Sequence, residues 1–195
     1  MKQFFSIFII LYFISCGGPT GNWSEPRVIL ISIDGLRGDI LNNPTYTKDY
    51  PNLTRLMADG EYCTNVQTVF PSLTYPSHTS MITGVTPAKH GILNNRPFNP
   101  ENNFVDWYWY ADSIKVPTIV TKAEQSGLVT LGVSWPVSVG AKMDWMLPEI
   151  KSVNDTISTI DLVRKHDRPE SFLESAKVRR VVPEDGNPSG YNRDL

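Results

Sequence analysis

The run Val28-Ile29-Leu30-Ile31-Ser32-Ile33, bounded by Pro26 and by Asp34-Gly35, constrains this chain more than any other feature. It is mostly β-branched and does not alternate, which predicts a strand buried on both faces, as in a parallel sheet between helices. The residues that follow extend that reading. Pro51 to Asp59, closed by Gly60, has proline in its first turn and glycine past its end, and predicts a helix. Glu61 to Phe70 predicts a second strand, with Cys63 as a small core residue. Pro76 to Thr83 predicts a short helix stopped by Gly84. Pro117 to Ser126 predicts another, with Val116, Ile119, Val120 and Ala123 on one face and Gly127 as its stop. Leu128 to Trp135 predicts a third strand. Strands alternating with helices argue for an α/β domain over residues 27–182.

Toward the C-terminus the pattern weakens. Residues 152–182 suit two polar helices separated near Arg168-Pro169, and residues 183–195 hold turn formers and charges without an apolar anchor. That ending reads either as a frayed tail or as a truncated frame. The length of 195 residues fits one domain, and 41% apolar against 19% charged residues excludes wholesale disorder. Lys and Arg number 18 against 20 Asp and Glu, for a formal charge of −2, so no broad basic surface favours a nucleic-acid partner.

The first residues belong to a different problem. Met1-Lys2-Gln3 precedes Phe4 to Ile14, in which only Ser6 is not apolar. A charged start before an apolar stretch too short to span a bilayer predicts an export signal over residues 1–15. The signal ends at Ser15-Cys16, which resembles the lipobox of bacterial lipoproteins. That resemblance implies cleavage before Cys16, acylation of its sulfur and amine, and a lipid bilayer as partner. It places the protein on a bacterial membrane, facing the periplasm or the exterior. An ordinary secreted protein with an incidental cysteine is the alternative. Residues 16–26 have the composition of a flexible tether. Acylated Cys16 could not pair with Cys63, the other cysteine.

Two places carry the chemistry. Asp34 ends the first predicted strand and is followed by Gly35, where open α/β sheets place ligands. A carboxylate there suits a metal or a phosphate-linked site, and equally a turn cap. Arg37 and Asp39 follow as supporting or merely solvated charges. The second place is Phe70 to Ser80 (FPSLTYPSHTS), where a strand ends, two prolines stiffen a turn and a helix begins. Hydroxyls gathered at a helix N-terminus meet free backbone N–H groups and a dipole that favour an anion. A hydroxyl placed there is also easier to activate as a nucleophile. Ser72, Thr74 and Ser77 could equally be structural caps.

VILISIDGLRGD at 28–39 followed by PSLTYPSHTSMITGVTPAKHGILNN at 71–95 resembles the N-terminal half of the nucleotide pyrophosphatase/phosphodiesterase family, part of the alkaline phosphatase superfamily. The likeness rests on four elements in order: IDG at a strand end, a T-[FY]-P-x-H turn, an S-x-x-TG helix end and a P-x-x-HG segment. Leu131 to Leu147 is similar to the W-P segment that follows in bacterial members. The resemblance implies a partial alkaline-phosphatase-like sheet sandwiched by helices. It implies hydrolysis of phosphodiester or pyrophosphate bonds in nucleotide-type substrates, through a covalent phospho-threonine intermediate. Thr74 would be the nucleophile, and Asp34 and Thr74 would bind one of two zinc ions. The family carries asparagine, on a non-bridging phosphate oxygen, where this chain has Ser77. His78 and His90 would support the turn and the following loop rather than bind metal. A phosphomonoesterase of the same superfamily is the near alternative.

A two-zinc site of this kind needs further Asp and His ligands, and the chain holds only three histidines. His166, with Asp161 and Asp167, is the remaining candidate, but Ile160 to Asp167 (IDLVRKHD) lacks the glycine and the preceding strand of the family's D-x-x-GH segment. Its charges suit a solvated helix. The expectation is therefore an incomplete form of a metal-dependent hydrolase or, in a different class, an inactive lipid-anchored remnant or binding protein. Trp107-Tyr108-Trp109-Tyr110 could stack on a nucleotide base, although a packing cluster fits better.

Overall fold

The computed structural model describes residues 27–101, 106–152 and 157–175. The predicted signal, the Cys16 lipidation site and the tail from 183 onward lie outside the described residues. The chain divides into two units, Met1–Leu36 and Arg37–Leu195.

In the first unit, residues 27–33 belong to no helix and no strand pair. A turn at Asp34-Gly35 follows, closed by a bond from the Leu36 N–H to the Ile33 carbonyl at 3.4 Å. Gly35 has φ +72°, a conformation that favours glycine. The strand predicted at 28–33 is therefore not formed. Its side chains stand in solvent, with Val28 95% and Ile29 82% exposed. A strand buried on both faces takes its stability from neighbouring strands and covering helices, and no such neighbour pairs with this run among the described residues.

The second unit begins with α1 (Pro44–Thr47) and α2 (Pro51–Asp59). Asn43 caps α1 by accepting the Thr45 N–H at 2.9 Å. α2 has the bounds the sequence predicts. The stretch 61–70 forms no strand pair, and Cys63 is an exposed free thiol rather than a core residue. The reason is the same as for 28–33, because alternation supplies a face but not the sheet that would cover it.

α3 (Thr74–Thr83) starts two residues before its predicted proline. Pro76 then sits inside the first turn, where a missing N–H costs no helical bond. Gly84 ends α3 at φ +68°, and α4 (Pro87–His90) follows. α5 (Ile119–Gln125) is held by a capping box between Thr118 and Thr121. β1 (Leu131–Val133) and β2 (Trp145–Leu147) pair in parallel with Gly132 opposite Met146. β1 is shorter than predicted because Ser134 leaves the extended region at φ +49°. Asp144 Oδ2 accepts both the Thr130 N–H at 2.8 Å and the Thr130 hydroxyl at 3.0 Å, just ahead of both strands.

α6 (Thr159–His166) is capped by Ser158, whose hydroxyl oxygen accepts the Asp161 N–H at 3.2 Å. α7 (Phe172–Ser175) completes the described chain. These two helices are the polar pair predicted on either side of Arg168-Pro169. Tyr75, Trp109, Val137, Leu147, Val163 and Phe172 belong to one buried cluster, so α3, the W-P loop, β2, α6 and α7 share a core. The architecture is α/β, and its sheet is a two-stranded parallel pair among the described residues. No described helix is long and apolar enough to cross a membrane.

Candidate active site

The turn entering α3 is built from both sides. Thr74 is the first helical residue and is half-buried, whereas Tyr75 is 0% exposed. The Tyr75 ring packs against Trp107 at 5.2 Å and edge-on to Trp109 at 6.1 Å. That contact anchors the residue next to Thr74 in the core. The aromatic group 107–110 thus serves packing, as the sequence favours. Trp107 and Trp109 stack at 5.8 Å, and Arg96 and Lys151 lie 5.4 and 5.8 Å from the Trp107 ring centre.

The backbone donors of the turn are largely committed. The Tyr75 N–H donates to Asn95 Oδ1 at 3.0 Å, and the Ser77 N–H to the Leu73 carbonyl at 3.0 Å. Pro76 has no N–H to give. Of the first-turn positions the sequence offers for anion binding, Tyr75 gives its amide to Asn95 and Pro76 has none. The helix dipole and the hydroxyls also favour an anion here. Ser77 Oγ lies 3.2 Å from Thr68 Oγ1, so a second hydroxyl stands beside it.

His78 and His90 brace this region. His78 Nδ1 lies 2.7 Å from the Thr74 carbonyl oxygen. A carbonyl only accepts, so Nδ1 carries the proton. His90 is 0% exposed, and its Nδ1 accepts the Ile92 N–H at 3.1 Å. Its Nε2 must then hold the proton and donate to Ser80 Oγ at 2.9 Å. Both His90 nitrogens are spent on the helix and the loop, the supporting role the resemblance implies. Burial lowers the His90 pKa from its ordinary value, with a bond to the Pro76 backbone opposing it.

Asp34 is exposed in the turn after residue 33. Arg37 and Asp39 pair with each other through contacts of 3.0 and 2.6 Å in solvent. Ser72 is exposed at the entrance to the turn. His166 stands edge-on to Tyr110 at 6.1 Å, while Asp161 bonds to Ser158 and Arg164, and Asp167 accepts the Leu173 N–H. No group of three or more His, Cys, Asp or Glu among the described residues is arranged to hold a metal ion. The described side chains therefore do not fit a two-zinc centre by themselves.

Three contributors escape the sequence reading: Asn95, Thr68 and Trp135. Trp135 meets the His78 ring edge-on at 5.2 Å. Asn95 follows the HG element and was visible as part of that segment, but its bond spans 20 residues, and local spacing carries no signal for such a contact. Thr68 was assigned to a strand that does not form.

The type I phosphodiesterase / nucleotide pyrophosphatase family model matches residues 28–186. The bis(5'-adenosyl)-triphosphatase ENPP4 of Bos taurus is 30% identical over 128 residues, covering 62% of this chain and 27% of that protein. The ectonucleotide pyrophosphatase/phosphodiesterase family member 1 of Homo sapiens is 29% identical over 143 residues, covering 68% of this chain and 14% of that protein. The chain thus spans about a quarter or less of these curated relatives. Among solved structures, murine ectonucleotide pyrophosphatase / phosphodiesterase 5 is 27% identical with a TM-score of 0.48, covering 62% of this chain and 34% of that one.

Proposed function

We propose that this chain, which belongs to the type I phosphodiesterase / nucleotide pyrophosphatase family, supplies the nucleophilic part of a site hydrolysing phosphodiester or pyrophosphate bonds in nucleotide-type substrates. The observation that supports the reading is Thr74 as the first residue of α3, inside a turn fixed through Tyr75 and His78. A nucleophile needs a defined line of approach to phosphorus, and both neighbouring anchors restrict where the Thr74 hydroxyl can point. In this reading Thr74 Oγ1 bonds to phosphorus as the bond to the ester oxygen breaks, and the hydroxyl proton passes through solvent to that leaving oxygen. Water then cleaves the phospho-threonine and restores the hydroxyl. The α3 dipole favours the charge that gathers on phosphate, and Ser77 donates its hydroxyl to a non-bridging oxygen.

Asp34 and Thr74 are each our candidates as zinc ligands. Zinc bound there would act as a Lewis acid on phosphate oxygens. The remaining ligands must come from beyond the described residues. Cys16, as the lipid attachment point, would place the protein on a bacterial membrane surface. Incorporation of labelled fatty acid, absent in Cys16→Ser, checks that assignment, and equal labelling of the variant would refute it.

The main test uses the full chain with zinc and a chromogenic phosphodiester, beside the matching monoester. The expected result is diester turnover that falls on the order of a thousandfold or more in Thr74→Ala. Mass spectrometry should find phosphate on Thr74 after acid quenching. Preference for the monoester would instead assign a phosphomonoesterase. The shortage of ligands among the described residues favours one further reading, an inactive remnant or binding protein. Absence of both zinc uptake and turnover would decide for it.

A further inference from the structure

We infer that Trp135 is a positioning residue for Thr74, acting through the His78 ring; the functional half of this statement rests on the nucleophile reading above. The route is short. Trp135 meets His78 edge-on at 5.2 Å and 76°, and His78 Nδ1 donates to the Thr74 carbonyl at 2.7 Å. His78 is buried, so its ring orientation is set by packing rather than by solvent. If that ring turned about its bond to Cβ, the donor would leave the carbonyl and the backbone at Thr74 would lose an anchor.

The loop holding Trp135 is costly in two separate ways. Ser134 has φ +49° and Val137 φ +57°, and a β-branched residue at positive φ is a true outlier. Such conformations persist only where the surrounding structure over-determines them. The buried Trp135 Nε1 also has no hydrogen-bond partner among the described residues, so none of them holds the indole there by such a bond. What the ring does gain is the His78 contact. The same loop reaches the other anchor of the turn. The Val139 N–H donates to the Trp109 carbonyl at 3.0 Å, the Val139 carbonyl accepts the Ala111 N–H at 2.9 Å, and Trp109 packs against Tyr75. The strained loop therefore touches both supports of Thr74, one through Trp135 and one through Val139.

The test is nitrogen NMR and amide exchange on the isotope-labelled full chain, without substrate, for Trp135→Leu, Trp135→Phe and His78→Ala. In the unaltered protein and in Trp135→Phe, His78 should show a protonated Nδ1 and a bare Nε2. In Trp135→Leu the two nitrogen signals should move toward a tautomer average. The Tyr75 amide should exchange roughly two- to tenfold faster, the worth of one aromatic pair. The Met146 amide, bonded to the Arg168 carbonyl at 2.7 Å, should keep its protection. Neither Trp135 variant should add to the Tyr75 effect in the His78→Ala background. An unchanged His78 tautomer, or equal losses at Tyr75 and Met146, overturns the proposal. Should Trp135→Leu not fold, Trp135→Met takes its place in the cycle with His78→Ala, and additive losses at Tyr75 refute the proposal. None of these readouts needs turnover, so failure of the nucleophile reading is seen separately, in Thr74→Ala hydrolysis.

Discussion

The turn and loop around α3 and the apolar run at 28–33 are both assembled from residues with a clear pattern, yet they end in opposite states. Around α3, Tyr75 and His90 are wholly buried and His90 has both ring nitrogens bonded. At 28–33 the side chains of Val28, Ile29 and Ile31 stand mostly in water. The difference lies in where the partners come from. α3 needs one turn of its own backbone and a few contacts from residues between 68 and 135. A doubly buried strand needs a neighbour on each edge and a layer on each face, and every one of those must come from elsewhere. Apolar pattern records the demand for burial, and only the assembled sheet can meet it.

That contrast has a direct test in a pair of substitutions. Tyr75→Ala should cost about 3–5 kcal/mol of unfolding free energy, as for other fully buried aromatics. Ile31→Ala should change it by about 0.5 kcal/mol or less, as at exposed positions. Urea denaturation of both reads the difference, and equal costs would break the contrast by showing that the run at 28–33 is packed in solution.

A smaller effect is expected at Gly91, where the HG element turns at φ +87°. An added Cβ would come within 2.9 Å of the Lys115 side chain. The left-handed backbone would also be strained, so Gly91→Ala should lose roughly 1 kcal/mol, seen as a lower urea midpoint. An unchanged midpoint would mean that this loop is less fixed than its bonds suggest.

The pH dependence sharpens the same point. The folded protein holds His90 below its ordinary pKa of 6.5, so between those values the unfolded chain binds more protons. Its contribution to stability is complete above about pH 6.5 and is lost as pH falls toward the lower, folded pKa. His166 shifts in the same direction, through burial and then through repulsion by Lys165. Comparing unfolding at pH 7 and pH 5 should therefore show a loss that shrinks in His90→Gln and again in His166→Gln. A slope untouched by either change would locate the titration elsewhere.

How much of this was legible in the sequence follows the same division. α2, α5 and the pair α6 and α7 were readable from proline, glycine and hydroxyl punctuation, because helix signals act over four residues. The order IDG, T-Y-P-S-H, S-x-x-TG and P-x-x-HG carried the family, which the match over residues 28–186 shows. The strands at 28–33 and 61–70 were not decidable locally, since pairing is a property of distant residues. For the site, the bracing by His78 and His90 was anticipated. Asn95 and Trp135 were not, because each reaches α3 through a contact across a long stretch of chain. The bond that takes the Tyr75 amide was hidden for the same reason, since its acceptor Asn95 lies 20 residues on.

One feature of the small sheet reaches further than its size. Parallel strands have no hairpin to set their alignment, so something else must choose it. Here the choice is made one residue ahead of the pair, where Asp144 holds the backbone and the hydroxyl of Thr130. With that junction fixed, Gly132 falls against Met143, whose sulfur would lie 2.5 Å from any Cβ at this position. A slip of one residue would push Leu131 or Val133 against the Met143 thioether, which would have to move, and would turn the glycine outward. The carboxylate and the missing side chain thus work as a lock and its key: one sets the parity, and the other leaves Met143 its place only in that parity.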